Sequence, residues 1–156
     1  MKCRYQTVMF DLDGTLSDSA QGVHDGIVAA LGEMGAPIPD LSDRSQYIGP
    51  PLLSTFQRLC GMTETQAQEA LVRYREAYSR DGTFKNHLYE GMDSLLGDLK
   101  ESGAKVIVTT SKFDEFAKDV LDYLDIRQYF DLVCGSNLDG SRKEKAEVIR
   151  YAAGLL

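Results

Sequence analysis

The chain has 156 residues, enough for one compact domain with a small inserted subdomain. Its 43% hydrophobic and 26% charged content is ordinary for a globular protein, and no run approaches the roughly 20 apolar residues that cross a membrane. A net charge of −7 argues against a nucleic-acid polymer as ligand, whose phosphates demand a basic surface, but leaves room for a small phosphorylated molecule held by a few local cations and a metal.

The N-terminal stretch lacks the longer apolar core and small-residue cleavage site of a secretory signal, so the sequence predicts a cytoplasmic protein. Thr7-Val8-Met9-Phe10 reads as a buried strand that runs into a tight turn at Asp11-Leu12-Asp13-Gly14-Thr15. From Ser19 to Met34 the pattern is helical, with Val23, Ile27, Ala30, Leu31 and Met34 on one side and Gly35 as the stop. After Tyr47-Ile48-Gly49-Pro50-Pro51 a helix is expected through Leu59. Another runs from Thr63 to Arg80, opened by a Thr63-x-x-Gln66 capping box and striped by Ala67, Ala70, Leu71, Tyr74 and Ala77 or Tyr78.

Beyond Gly91 the rhythm alternates between helix and strand. Met92, Leu95, Leu96 and Leu99 mark a helix that Gly103 ends in a left-handed conformation. Lys105 to Thr109 is a β-branched buried strand, and Phe113, Phe116, Ala117, Val120, Leu121 and Leu124 stripe the next helix. Leu132-Val133-Cys134 is a further strand, and Lys145 to Ala153 a last helix. Such alternation predicts an α/β fold, a Rossmann-like parallel sheet covered by helices on both faces. The all-helical stretch before Gly91 cannot join that sheet and is expected as an inserted helical cap. The boundaries predicted are 1–17 and 85–156 for a discontinuous core and 18–84 for the cap. Cys3, Cys60 and Cys134 are too few and too scattered for a disulfide framework or zinc cage, and are expected reduced and mostly buried.

Asp11 and Asp13 are the sharpest chemical signal. On extended backbone, residues i and i+2 face one side, so both carboxylates share one space just past a strand's C-terminal end, where parallel α/β sheets bind ligands. Gly14 lets the chain turn there. Two crowded carboxylates favour a bound cation or shared proton, and they suit covalent phosphoryl transfer, one attacking phosphorus while the other handles a proton. The competing reading of Asp-Gly as a plain strand-end turn is the weaker one for this pattern. Thr110 or Lys145 taken alone would read as an ordinary strand-end threonine and a solvated helix lysine.

Asp11-Leu12-Asp13-Gly14-Thr15-Leu16-x-Asp18-Ser19 resembles the first motif of haloacid dehalogenase superfamily phosphatases, and Val106-Ile107-Val108-Thr109-Thr110-Ser111-Lys112 resembles their second. Ile48-Gly49-Pro50-Pro51-Leu52 resembles a signature of their α-helical cap, and Leu88-Tyr89-Glu90-Gly91 the return into the core. The pattern is most similar to phosphoglycolate phosphatase-like and 5′-nucleotidase-like members. The resemblance implies Mg²⁺-dependent hydrolysis of small phosphomonoesters such as phosphoglycolate, nucleoside monophosphates or sugar phosphates. It implies that Asp11 forms an aspartyl-phosphate and ligates Mg²⁺. Asp13 then serves as general acid and base, with its backbone carbonyl on the metal. Thr110, with nearby backbone amides at Gly14 and Ser111, would bind phosphate, and Lys145, or else Lys143, would neutralise its charge. Arg44 and Gly49 are the cap candidates for substrate contact, although a solvated loop arginine is the plainer reading of Arg44. His24 and His87 have no partner at metal-ligand spacing. A monomer or homodimer is expected.

One departure bears on activity. The family's fourth motif, an acidic pair on a following strand, has no counterpart before Leu156, so the C-terminal part of the core is expected to be missing and the metal site half furnished. A truncated, catalytically impaired phosphatase is therefore the main alternative. A related phosphomutase is another, while Asp13 disfavours a dehalogenase because carbon–halogen cleavage needs no acid. Gly135-x-x-x-x-Gly140 looks like the start of a P-loop, but Ser141-Arg142 stands where that motif needs Lys-Ser/Thr.

Overall fold

Apolar runs of β-branched residues and helical stripes alternate through the second half of the chain, and each becomes a regular element. The computed structural model describes residues 4–139 and 141–156. Cys3 and Gly140, both named above, lie outside the described residues. The chain divides into two compact units, one of residues up to Asp18 with His87–Leu156 and one of Ser19–Asn86.

In the first unit, β1 (Thr7–Phe10), β4 (Lys105–Phe113) and β5 (Leu132–Ser136) form a parallel sheet in the order β1-β4-β5. Two short strands, β2 (Ser17–Asp18) and β3 (His87–Leu88), pair antiparallel where the chain leaves this unit and returns to it; sequence reading had no signal for so short a pair. The helices α4 (Met92–Glu101), α5 (Asp114–Tyr123) and α6 (Lys145–Gly154) fall within the predicted stripes. Alternation along β4 sorts the core: Val106 and Val108 face Leu12, Leu16, Leu96, Leu99, Val120 and Leu121, whereas Ile107 packs on the other side with Cys134, Val148 and Ala152 of α6. The fold is therefore α/β, with helices on both faces of a parallel sheet. Two expectations need correction. The strand predicted to stop at Thr109 continues to Phe113, because the chain bulges there instead of turning, and Phe113 caps α5 rather than lying in it. Of the cysteines expected to be mostly buried, Cys134 is buried and Cys60 is half-buried.

The second unit holds α1 (Ala20–Glu33), α2 (Leu52–Cys60) and α3 (Glu64–Asp81). The predicted capping box forms: Thr63 Oγ1 accepts from Gln66 N–H, and Gln66 Oε1 accepts from Thr63 N–H. The stripe Ala67, Ala70, Tyr74, Tyr78 is buried, and α1 packs on α3. That approach is close enough that a side chain at Gly26 would collide with the Tyr74 ring, its Cβ falling 2.6 Å from Tyr74 Cε2. Asn86, itself buried, donates through Nδ2 to Tyr78 OH and to the carbonyls of Gly82 and Thr83, closing the end of the unit.

The ends of α4 and α5 share one device. Ala104 N–H bonds Leu99 O and Gly103 N–H bonds Lys100 O; Ile126 N–H bonds Leu121 O and Asp125 N–H bonds Asp122 O. The left-handed position is Gly103 (φ 78°) in α4 but the exposed Asp125 (φ 53°) after α5. An L side chain is strained there. Asp125→Gly should therefore raise stability by about 0.5–1 kcal/mol, the relief of strain exceeding the extra chain entropy. The check is a urea midpoint that rises with unchanged slope; a lower midpoint would show that the aspartate is not strained.

Candidate active site

The loop after β1 is tied down from within before any side chain acts. Leu12 O accepts the N–H groups of Thr15, Leu16 and Ser17 at 3.2, 3.0 and 3.1 Å, and Gly14 N–H donates to Ser17 O at 2.8 Å. Gly14 has φ 76°, a conformation the tight turn requires and a side chain would strain. Leu12 and Leu16 are fully buried, so the loop's backbone is anchored in the core between the two acidic residues.

Asp11 and Asp13 each meet an ammonium group. Asp11 Oδ1 accepts from Lys145 Nζ at 2.5 Å and from Leu12 N–H at 2.8 Å. Among the described residues Asp11 Oδ2 accepts no hydrogen bond, and the side chain is 25% exposed. Lys145 Nζ also donates to Thr109 O at 2.8 Å, which fixes the ammonium at the C-terminal end of β4. Lysine in the first turn of a helix opposes the helix dipole, and these two acceptors offset that cost. Lys143, the other candidate, is exposed; its N–H donates to Glu147 Oε2 at 2.8 Å as part of the turn that starts α6.

Asp13 is gripped by a residue to which sequence reading assigned no role. Lys112 Nζ lies 3.1 and 3.2 Å from Asp13 Oδ1 and Oδ2, with side chains only 6% and 13% exposed. The available signal was its place in the motif, directly after Thr110-Ser111 at the end of β4, where the bulge decides which way it points. Thr110 is 1% exposed and its Oγ1 accepts from Lys112 N–H at 3.2 Å. Ser111 Oγ is buried with no partner among the described residues.

Arg44 and Gly49 belong to the second unit. Arg44 opens a short 3-10 turn, Arg44–Gln46, with its carbonyl accepting from Tyr47 and Ile48 N–H; Gly49 is exposed with φ 100°.

The donor chemistry admits magnesium on a limited set. The Asp11 carboxylate and Asp13 carbonyl are hard oxygen donors, and Mg²⁺ commonly takes one or two carboxylates together with waters and substrate phosphate. No group of three or more His, Cys, Asp or Glu side chains gathers among the described residues.

Residues 8–154 match the profile of haloacid dehalogenase-like hydrolases. Tyrosine-protein kinase PtkA of Mycobacterium tuberculosis is 40% identical over 151 residues, covering 97% of this chain and 51% of that protein. A 5′-nucleotidase of Pseudomonas aeruginosa is 38% identical over 148 residues, covering 95% of this chain and 67% of that one. The crystal structure of a predicted phosphatase from Clostridium acetobutylicum superposes with a TM-score of 0.91 at 38% identity, covering 97% of this chain and 70% of that one. The chain thus spans about half the length of the kinase and about two thirds of the nucleotidase.

The irregularity of β4 invites a direct test. A Cβ on Gly135 would lie 2.6 Å from Lys112 O and 2.7 Å from Asp114 Cα, both backbone atoms. Gly135→Ala should destabilise the protein by about 1–3 kcal/mol through overpacking, read as a lower denaturant midpoint. An unchanged midpoint would mean the two strands separate freely at this point. By profile match and sequence identity across nearly its whole length, the chain belongs to the haloacid dehalogenase-like hydrolase family.

Proposed function

We propose that this chain carries the nucleophile-bearing part of a cytoplasmic, Mg²⁺-dependent hydrolase of small phosphomonoesters, with Asp11 as nucleophile and Asp13 as general acid and base. The observation that carries this reading is the pairing of Asp11 Oδ1 with Lys145 while Oδ2 accepts no hydrogen bond among the described residues. One oxygen holds the carboxylate in place and the other keeps its lone pairs for phosphorus. Bound Mg²⁺ would polarise the phosphoryl oxygens.

In the first half-reaction Asp11 Oδ2 bonds to phosphorus as the ester P–O bond breaks, its electron pair leaving on the alcohol oxygen. Asp13, entering the step as the neutral acid, gives that oxygen its proton and the alcohol departs. Asp13, now a carboxylate, takes a proton from water as the water oxygen attacks the aspartyl phosphorus. The acyl-phosphate P–O bond then breaks, restoring Asp11 and releasing phosphate. Lys145 neutralises charge on the transferring group, and the Thr110 and Ser111 hydroxyls are suited to its oxygens, the Gly14 N–H being held by Ser17 O. Residues 1–17 and 85–156 would form the catalytic core, and 18–84 a cap whose side chains, Arg44 and the Gly49 turn among them, set which ester is accepted. Phosphoglycolate, nucleoside monophosphates and sugar phosphates are the substrate classes to compare. The working unit would be a monomer or homodimer.

Phosphate release from that panel, with and without Mg²⁺, tests the reaction. Asp11→Asn should reduce turnover by at least about 10³-fold. Substantial Mg²⁺-dependent hydrolysis by the pure variant would falsify the nucleophile. Lys145→Met should weaken binding of inorganic phosphate about tenfold or more, with Lys143→Met changing it less than about twofold. The reverse order would give the role to Lys143. The 40% identity to a protein named as a tyrosine kinase favours one second reading, transfer of the phosphoryl group to a tyrosine hydroxyl instead of water. Labelled phosphate from ATP appearing on protein tyrosine, lost in Asp11→Asn, would select it.

A further inference from the structure

We propose that Lys112 is a positioning residue for proton transfer at Asp13, its ammonium clamping both carboxylate oxygens in one orientation. The chemistry assigned here rests on the phosphatase reading; the clamp itself is a matter of geometry.

A nearly buried ion pair adds little net stability, because desolvation of both charges offsets their attraction. What the Lys112–Asp13 pair fixes is direction. The terminal torsion of an aspartate is soft and twofold, so a carboxylate held at one oxygen swings readily. Contacts of 3.1 and 3.2 Å to Oδ1 and Oδ2 remove that freedom in the carboxylate, and once one oxygen carries a proton the ammonium on the other fixes which way that proton faces. The backbone beneath is anchored by buried Leu12 on one side and turned by left-handed Gly14 on the other. Asp13 is thus held at both ends, as a group that must meet a leaving oxygen and then a water needs to be.

The lysine is itself aimed by a built irregularity. Thr109 pairs with Cys134 and the next pairing is Phe113 with Ser136, so Thr110, Ser111 and Lys112 together oppose Gly135. Extra residues on one strand re-aim the side chains they carry. Gly135 makes room, since any Cβ there would overlap Lys112 O, and Asp114 Oδ1 accepts Gly135 N–H at 2.9 Å to lock the crossing. The chain of dependence therefore runs from Gly135 and Asp114 through the bulge to Lys112, and from Lys112 to Asp13.

The experiment compares Lys112→Met with the unaltered protein on two esters and in crystals. p-Nitrophenolate leaves without a proton, whereas the alkoxide of phosphoglycolate needs one, so a fault in proton delivery separates them. For Lys112→Met, kcat on phosphoglycolate should fall about 10²–10³-fold, with p-nitrophenyl phosphate losing less than about tenfold and KM nearly unchanged. Lys112→Arg should recover part of the loss, and in crystals of the methionine variant the Asp13 carboxylate should leave its original orientation. Equal losses on both esters, a rise in KM with kcat intact, or an Asp13 that stays in place would each overturn the proposal. If Lys112→Met does not fold, Lys112→Gln, neutral but able to donate to one oxygen, is read by the same measures. Failure of the unaltered protein to release phosphate from any ester of the panel with Mg²⁺ would count against the phosphatase reading, while the crystallographic comparison would still decide the clamp.

Discussion

Two carboxylates with a single residue between them on a short, anchored loop can be held together only if positive charge reaches each of them. That constraint organises the first unit. Lys145 comes from the start of α6 and Lys112 from the irregular end of β4, so a strand, a bulge and a helix N-terminus all converge on the turn after β1. Thr109 O ties Lys145 to β4 as well as to Asp11, which couples the placement of the last helix to the central strand. Hydrophobic burial brings these elements to the sheet; the ion pairs fix what the sheet's C-terminal edge presents.

Most of the architecture was legible because it rests on periodicity. Apolar stripes at helical spacing and β-branched runs gave the helices and the strands of the parallel sheet, and the Thr63–Gln66 box gave the start of α3. What escaped notice was local and cooperative. The pairing of Ser17–Asp18 with His87–Leu88 spans too few residues to leave a pattern, and the extension of β4 to Phe113 depends on Gly135 and Asp114, distant in sequence. Lys112 is the telling case: its position in the motif was visible, but its partner became evident only once the bulge turned it toward Asp13. Resemblance alone favoured Lys145 and kept Lys143 as the fallback. The distinction comes from the turn before α6, which commits Lys143 through its backbone to Glu147 and leaves Lys145 as the first helical residue.

The relatives bear different names, two of them a nucleotidase and a tyrosine kinase, over the same stretch of sequence. A phosphoryl group placed on a carboxylate can be passed to water or to another hydroxyl, and the difference is which acceptor is admitted, not how the acyl phosphate forms. Under the proposed mechanism the anchored turn, the two lysines and the end of β4 serve the attacking side. Acceptor choice belongs to whatever surrounds it.

Cys134 lies beneath α6, packed with Val148 and Ala152, and burial pushes its thiol above the ordinary range. The same helix begins with Lys145. Any excursion that lifts α6 off the sheet therefore uncovers a sulfur atom and withdraws the ammonium from Asp11 in one event. Alkylation of that thiol in the native protein becomes a clock for how often the anion site comes apart.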